Sequence, residues 1–281
     1  MKLYLDCIPC FFDQAIRARR IAGADEKTIK RLLDEIGAML KDIPMDTMSP
    51  EIGRRIYGKI REATGNADPY REVKIRGTEQ ALAFYDSLKN EIAESDDPLL
   101  TAVRLAVAGN VIDYGINRRF DMEQEIHEVM HKEFAIFDYV EFRRHLAEAE
   151  DVLYIGDNTG EHVFDRLLIE EMGKPTVFAV REVPVINDVT YDDAVRGGLD
   201  KAATIMSSGS DAPGNILKFC SAEFMDVYDR AGLIISKGQG NYEALSDEPT
   251  TIFFMLKAKC SVIAEDVGVK EGDIILKGIN T

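Results

Sequence analysis

The stretch VLYIGDNTGE, residues 152–161, decides the fold of this 281-residue chain. Four apolar residues run directly into Gly156, and an acidic and an amide residue, Asp157 and Asn158, follow at once. Apolar residues then recur at helical spacing at positions 163, 164, 167 and 168. A short apolar run, a glycine turn and a helical period together predict a buried β-strand, a tight turn and an α-helix.

The same alternation of apolar runs and helical patterns continues to the end of the chain. Candidate strands lie at 152–155, 176–180, 202–206, 232–236, 251–256 and 272–276, and candidate helices lie at 161–172, 215–230 and 259–267. Strands that alternate with helices form mostly parallel sheets with helices on both faces. We therefore predict the α/β class: a three-layer α/β/α sandwich with a mostly parallel sheet, preceded by a helical N-terminal region.

The residues before about position 148 carry helical patterns. Apolar residues recur at three- and four-residue steps through 29–40 and again through 52–60. Asp97 and Pro98 supply an N-cap and a first-turn proline for a further helix. We predict a helical N-terminal region or cap over 1–147 and an α/β domain over 148–281.

The net charge and the distribution of apolar residues argue against several classes of protein. The formal net charge is −16, which argues against a nucleic-acid-binding protein because such proteins need a basic surface. No apolar run approaches the roughly 20 residues that span a bilayer. The stretch MKLYLDCIPC at the N-terminus carries a charged residue, Asp6, within a short apolar run, so it is not typical of a signal peptide. We expect a cytoplasmic protein with no membrane partner.

Polar side chains follow two successive strands of the predicted sheet. Asp157 and Asn158 come directly after the strand at 152–155, and Asp188 follows the strand at 176–180. Their spacing matches one βαβ step of about 30 residues, so adjacent parallel strands could bring the three to one sheet edge. Their oxygens suit a Mg²⁺-like ion that also binds phosphate. A helix cap at Asp157 and an Asn-Asp turn at Asp188 are the structural alternatives.

Three other segments could contribute to the same site. The loop 207–214, which contains Ser208 and Gly209, offers backbone N–H groups that could bind an anion. Lys237 follows the strand at 232–236 and could bind a phosphate as a point charge. Asn110 and Asp113 lie between glycines at a helix end and could enter a site or form a helix C-cap.

Two motifs point to metal chemistry of another kind. Cys7 and Cys10 form a single CxxC, which is compatible with a metal site, a redox pair or packed thiols. His127 and His131 fit the HExxH pattern of zinc proteases, but the surrounding segment is short and highly charged, as surface helices are.

The ordered motifs resemble those of one family. GDNTGE at 156–161, PVINDVT at 184–190, SSGSDAPG at 207–214 and SKGQGNYE at 236–243 occur in order, with GNVID at 109–113 and CIPC at 7–10 before them. This set resembles the metal-dependent damage-control phosphatases, formerly domain-of-unknown-function family 89, and especially their archaeal and bacterial branch with an N-terminal CxxC. The resemblance spans nearly the whole chain.

The resemblance implies a function and a set of site residues. It implies a phosphatase that hydrolyses small phosphate monoesters, such as sugar phosphates or damaged metabolites, with one divalent ion: Mg²⁺, Mn²⁺, Co²⁺ or Ni²⁺. The residues implied to hold the metal are Asp157, Asn158 and Asp188. Those implied in catalysis are Asp157 and Lys237, and those implied in substrate binding are Asn110, Glu161, Ser208, Gly209 and Lys237.

Several alternatives remain open at this point. Either a water molecule or Asp157 itself could attack the phosphorus atom. An S-adenosylmethionine-dependent carboxyl methyltransferase is the first rival, although the turn at 156–160 places a carboxylate where that ligand's acidic groups would approach. A non-enzymatic metal-binding protein that uses CIPC is the second. The sequence indicates no oligomeric state.

Overall fold

The computed structural model describes residues 1–111 and 122–281. Its thirteen described α-helices are α1 Cys7–Ile21, α2 Glu26–Leu40, α3 Ser49–Thr64, α4 Arg71–Leu82, α5 Tyr85–Glu94, α6 Pro98–Val111, α7 Met122–His131, α8 Tyr139–Glu148, α9 Glu161–Met172, α10 Tyr191–Arg196, α11 Ala222–Tyr228, α12 Gln239–Leu245 and α13 Ser261–Val267. Its strands are β1 Phe134–Phe137, β2 Val152–Ile155, β3 Thr176–Val180, β4 Thr204–Ser207, β5 Leu233–Lys237, β6 Ile252–Lys257 and β7 Ile274–Ile279.

The strands form one sheet in the order β1-β7-β6-β5-β2-β3-β4. Neighbouring strands from β6 to β4 are parallel, as are β1 and β7, so β6–β7 is the one antiparallel pair in the described part of the chain. The chain moves outward from β2 through β3 to β4, and then returns to the other side of β2 to add β5 and β6. The order of the strands therefore reverses between β2 and β5, and such a point opens a crevice at the carboxyl ends of the strands.

Alternating side chains of the central strands pack against two different helical layers. Tyr154 and Phe178 belong to a core with α6 and α9 on one face of the sheet. Leu153 and Ile234 belong to a core with α11, α12 and α13 on the other face. Because both faces are covered, the strands are apolar throughout rather than alternating. The predicted α/β/α sandwich is confirmed.

The first three helices form their own small core. Ile36 of α2 and Ile52 and Ile56 of α3 are almost fully buried in it, together with Phe11 of α1. The repeats at 29–40 and 52–60 thus mark buried helix faces, as predicted. Asp97 caps α6 by accepting a hydrogen bond from the backbone N–H of Leu100 at 3.1 Å. Within the described residues, none of the helices has the length and apolar character needed to cross a bilayer.

Several elements differ from the sequence-based predictions, which did not include the short helices α10 and α12. β1, at Phe134–Phe137, was not predicted; it is an edge strand of only four residues whose side chains alternate in exposure. It pairs with β7, so the sheet includes a strand that precedes position 148, although the division of the chain there stays a prediction. The helix predicted at 215–230 is instead a 3₁₀ turn at Leu217–Phe219 followed by α11. Ser221 separates them because its hydroxyl caps α11, accepting a hydrogen bond from the backbone N–H of Phe224.

Candidate active site

The residues predicted to bind metal meet at the crevice beside β2. Asp157 and Asn158 follow β2, and Asp188 lies in the loop after β3. A short bridge joins Asn158 to Asp188. The backbone N–H of Val189 donates to the carbonyl of Asp157 at 2.8 Å. The two loops are therefore fixed against each other, as the spacing of these residues predicted.

Asn110 reaches this crevice from the last turn of α6. Its amide nitrogen donates to Oδ2 of Asp157 at 3.1 Å and to both carboxylate oxygens of Glu161, at 3.1 and 3.0 Å. The side-chain amide of Asn158 donates to the same two carboxylates, at 2.6 Å to Asp157 and 3.0 Å to Glu161. Two amides thus hold two carboxylates together. Asp113, predicted beside Asn110, lies outside the described residues.

Lys237 lies beneath the crevice and is fully buried. Its ammonium group donates to Glu161 at 2.8 Å, to Asp165 at 2.5 Å and to the carbonyl of Ala106 at 2.8 Å. An ammonium group has three donors, so the protein itself occupies all of them. Direct contact between Lys237 and phosphate stays a prediction, and it would require one of these bonds to break.

Two further residues, Arg181 and Asn241, support the crevice, and sequence reasoning assigned neither a role. The guanidinium of Arg181 donates to Oδ2 of Asp188 at 2.7 Å and to Asn241 at 3.1 Å. Asn241 in turn donates to the carbonyls of Gly156 and Lys237, at 3.1 and 2.7 Å. It therefore joins the ends of β2 and β5. The one indication of this role in the sequence is that Asn241 lies in the motif SKGQGNYE, shortly after a predicted strand.

Four buried acidic residues lie together here, and we call them the carboxylate cluster: Asp157, Glu161, Asp165 and Asp188. Burial raises the pKa of Asp157 to about 8, and the charges of Glu161 and Asp188 add to the rise. Burial likewise raises the pKa of Asp188 and raises that of Asp165 to about 7. Burial also acts to raise the pKa of Glu161, but the charges of Lys237 and Lys259 outweigh it and lower that pKa. The cluster therefore favours an added positive charge.

A cavity of about 760 Å³ opens beside Asp157, Asn158 and Asp188. Helices α1 and α3 supply the opposite wall, which includes Phe11 and Tyr57. The helical N-terminal region therefore lies over the sheet edge, and the space between them is large enough for a small metabolite.

The three residues predicted to hold the metal each retain one oxygen suited to a cation. Among the described residues, none donates a hydrogen bond to Oδ1 of Asp157, Asn158 or Asp188, while the other side-chain polar atom of each is bonded. The guanidinium of Arg181 lies 4.0 Å from Oδ1 of Asp157, beyond hydrogen-bond distance. No three His, Cys, Asp or Glu side chains of the described residues are arranged around one ion position. The predicted set contains only two carboxylates, and its third member is an amide. Hard oxygen atoms of this kind suit Mg²⁺ or Mn²⁺.

The structure does not bring Ser208 and Gly209 to the cavity wall. Ser208 is fully buried, and the backbone N–H of Gly209 donates to the hydroxyl of Ser207 at 3.0 Å. Gly209 has φ +77°, and a Cβ atom there would lie 2.7 Å from the backbone nitrogen of Ser221. This glycine thus permits a close contact between two loops. Pro213, further along the same loop, does line the cavity, and a substrate contact by Ser208 or Gly209 stays a prediction.

The four cysteines do not form a single site. Cys7, Cys10 and Cys260 line the cavity, whereas Cys220 lies elsewhere, with its thiol donating to the carbonyl of Ile216. Burial raises the pKa of the Cys7 and Cys10 thiols, so both are protonated at neutral pH.

The HExxH histidines lie on α7 and are exposed. Nδ1 of His131 lies 2.8 Å from the carbonyl of His127. The other two histidines are elsewhere, His145 beside Arg144 and His162 buried against Gly160. The zinc-protease interpretation therefore finds no third histidine ligand in the chain.

The protein is therefore an α/β/α sandwich with an acidic site at the point where the strand order reverses, between β2 and β5. A family model described as the damage-control phosphatase ARMT1-like domain matches residues 3–275. The chain belongs to this family.

Relatives match over almost the whole chain. A damage-control phosphatase of Pyrococcus horikoshii is 36% identical, over 98% of this chain and 97% of the relative. A damage-control phosphatase of Archaeoglobus fulgidus is 31% identical, over 99% of each chain. A crystal structure of a P. horikoshii protein of domain-of-unknown-function family 89 superposes with a TM-score of 0.90 at 34% identity, over 98% of each chain. The fold and the family are therefore as predicted.

Proposed function

We propose that this protein hydrolyses small phosphate monoesters in the cavity beside Asp157, with the help of one divalent cation. The observation that carries the proposal is a set of three oxygens at the cavity, one each on Asp157, Asn158 and Asp188, to which none of the described residues donates a hydrogen bond. The names of the relatives support phosphatase chemistry. The amide and aromatic groups around the cavity are compatible with a sugar phosphate or a damaged phosphometabolite.

The chain's own residues would prepare the site for a cation and a phosphate. Asn110 holds Asp157 and Glu161 in fixed positions, and Arg181 holds Asp188. Because these partners are already bonded, the ligand oxygens need little reorganisation when the ion arrives. A divalent cation at this position would withdraw charge from the phosphoryl group and acidify a water molecule. The wall formed by α1 and α3 would limit the access of bulk water to the ester.

The proposal predicts metal-dependent turnover that requires Asp157. Metal-stripped protein should release phosphate from members of a panel of small phosphate esters only after Mg²⁺, Mn²⁺, Co²⁺ or Ni²⁺ is added. Asp157→Asn should lower kcat/KM more than about 100-fold, because it removes a charged ligand of the cation. Metal binding measured by calorimetry should weaken in parallel.

Asp86→Asn is the matched control, because Asp86 lies exposed on α5, away from the cavity. It should leave both turnover and metal affinity unchanged. A wild-type protein that releases no phosphate with any of the four ions would contradict the proposal. So would an Asp157→Asn variant with wild-type turnover.

A further inference from the structure

Asp188 is carried by a loop that leaves the sheet after β3, enters the core of the helical region and returns to the sheet edge. We call residues 182–188 the Asp188 loop. Its base is closed by a bridge between Arg181 and Thr190, and the backbone N–H of Arg181 donates to the carbonyl of Val189 at 3.0 Å. The path of the loop between these two ends therefore decides where the carboxylate of Asp188 lies.

The first half of the Asp188 loop is held by the helical region. Val185 is only 1% exposed and belongs to the small core of α1, α2 and α3. A guanidinium nitrogen of Arg61, on α3, donates to the carbonyl of Pro184 at 3.1 Å. Val185 is not among the described residues that line the cavity, so any effect of this side chain on the site passes through the loop.

The second half of the Asp188 loop is held by the α/β part of the chain. The backbone N–H of Thr159 donates to the carbonyl of Asn187 at 2.8 Å, and the guanidinium of Arg181 donates to Oδ2 of Asp188 at 2.7 Å. Ile186 lies between these contacts and those of the helical region. It is therefore the residue at which any mismatch between the two sets of contacts must be absorbed.

Ile186 has a strained backbone at this junction. Its φ is +48°, and the only other non-glycine residue with a positive φ in the described part of the chain is Asn280. Asparagine tolerates that region, whereas a β-branched residue seldom adopts it. The backbone N–H of Asp188 donates to the carbonyl of Val185 at 2.9 Å. Ile186 is thus the first central residue of a β-turn, and a positive φ at that position normally requires glycine.

We infer that Val185 is a positioning residue for Asp188: its anchor in the core of α1, α2 and α3 holds the strained turn at Ile186 that presents the Asp188 carboxylate to the cavity. This inference rests on the proposed phosphatase function, in which Asp188 is a metal ligand. Such strain persists only where the surrounding structure holds it. Without the anchor, Ile186 would relax toward a negative φ and the turn would reorient Asp188. The packing of the helical region and the affinity for the cation are therefore coupled.

Calorimetric titration of metal-stripped protein with Mg²⁺ tests this role without any substrate. Val185→Ala should weaken Mg²⁺ binding by about 10-fold or more, as expected when the support behind a metal ligand is lost. Arg61→Gln removes one hydrogen bond to the same loop and leaves the core intact. It should therefore act in the same direction with a smaller effect.

Ile186→Gly, added to Val185→Ala, separates the proposed role from a general loss of packing. Glycine adopts a positive φ without strain, so the turn no longer needs the anchor in the double variant. Most of the Mg²⁺ affinity should therefore return. If Val185 were only a core residue, the removal of a second apolar side chain would not restore binding.

Ile43→Ala is the matched control, because Ile43 packs against the same core but follows α2 and is not among the described residues that line the cavity. It should lower stability and leave Mg²⁺ affinity unchanged.

Wild-type affinity in Val185→Ala would overturn the inference; should that variant not fold, wild-type affinity in Arg61→Gln would do so. A double variant that binds Mg²⁺ no better than Val185→Ala would also overturn it, as would a wild-type protein that binds no Mg²⁺. Failure of the proposed function has a different result: the wild type binds Mg²⁺ but hydrolyses no ester, and the comparison of Mg²⁺ affinities among the variants still holds.

Discussion

Replacing Lys237 by methionine should lower the free energy of unfolding by about 3–5 kcal/mol, because the change leaves buried carboxylates without their counter-charge. Glu161 lies 2.8 Å and Asp165 2.5 Å from the Lys237 ammonium, and none of the three side chains is exposed. Met has nearly the same length, so the variant removes the charge with little change in packing. Chemical denaturation with a fitted midpoint and slope measures the effect.

The loss of stability in Lys237→Met should grow with pH, because the carboxyl groups left without a counter-charge become ionised. Burial raises the pKa of Asp165 to about 7, and Lys237 opposes that rise. Without Lys237 the folded-state pKa of Asp165 rises further above its unfolded value. When the folded-state pKa of a carboxyl group is raised, the protein loses stability as pH increases from the unfolded-state pKa toward the folded-state pKa. The difference between wild type and variant should therefore be larger at pH 8 than at pH 5.

Two further variants separate the charge effect from a general loss of packing. Adding Asp165→Asn to Lys237→Met removes one of the two unpaired carboxylates and should restore part of the stability. Lys218→Met breaks an exposed pair with Glu51 and should cost no more than about 1 kcal/mol. A Lys237→Met variant as stable as Lys218→Met would show that the buried ion pairs contribute little net stability.

The central strands could be predicted from the sequence because both of their faces are buried. The predicted strands at 152–155 and 176–180 and the predicted helix at 161–172 match β2, β3 and α9 residue for residue. A strand covered by helices on both sides is a continuous apolar run, and a glycine and a polar pair mark its end. β1 lacks that signal, since it is a short edge strand with alternating exposure next to a charged helix.

The candidate site could be predicted only where residues follow strand ends. Asp157, Asn158 and Asp188 meet because parallel neighbouring strands end at one edge, and the sequence shows where each strand ends. The sequence does not show whether a polar side chain near a strand end is buried beneath the crevice or exposed to it. Lys237 is the last residue of β5 and points into the core between α6 and α9, where Ala106 and Asp165 receive it. Asp165 is one helical turn after Glu161, a spacing that places both on one face, but its pairing with Lys237 depends on packing between elements.

Gly238→Ala should abolish most of the activity while leaving the protein folded. Gly238 follows β5 with φ +79° and ψ 165°, a backbone region that is almost exclusive to glycine. A Cβ atom there would lie 1.8 Å from Oδ2 of Asp157 and 2.2 Å from its Cγ. The Asp157 carboxylate would have to move, and its bonds from Asn110 and Asn158 would break.

Displacement of this proposed metal ligand by about 1 Å is enough to lower kcat/KM by about 100-fold or more. Backbone strain should also reduce stability, by about 1–3 kcal/mol. Gly268→Ala provides the control, because Gly268 has φ +85° but a Cβ atom there meets no atom within 4 Å. It should lower the melting temperature slightly and leave kcat/KM unchanged. Comparing kcat/KM for the two variants on one ester separates the effect of the contact with Asp157 from that of backbone strain. A Gly238→Ala enzyme with near-wild-type turnover would show that the position of this carboxylate does not govern the reaction.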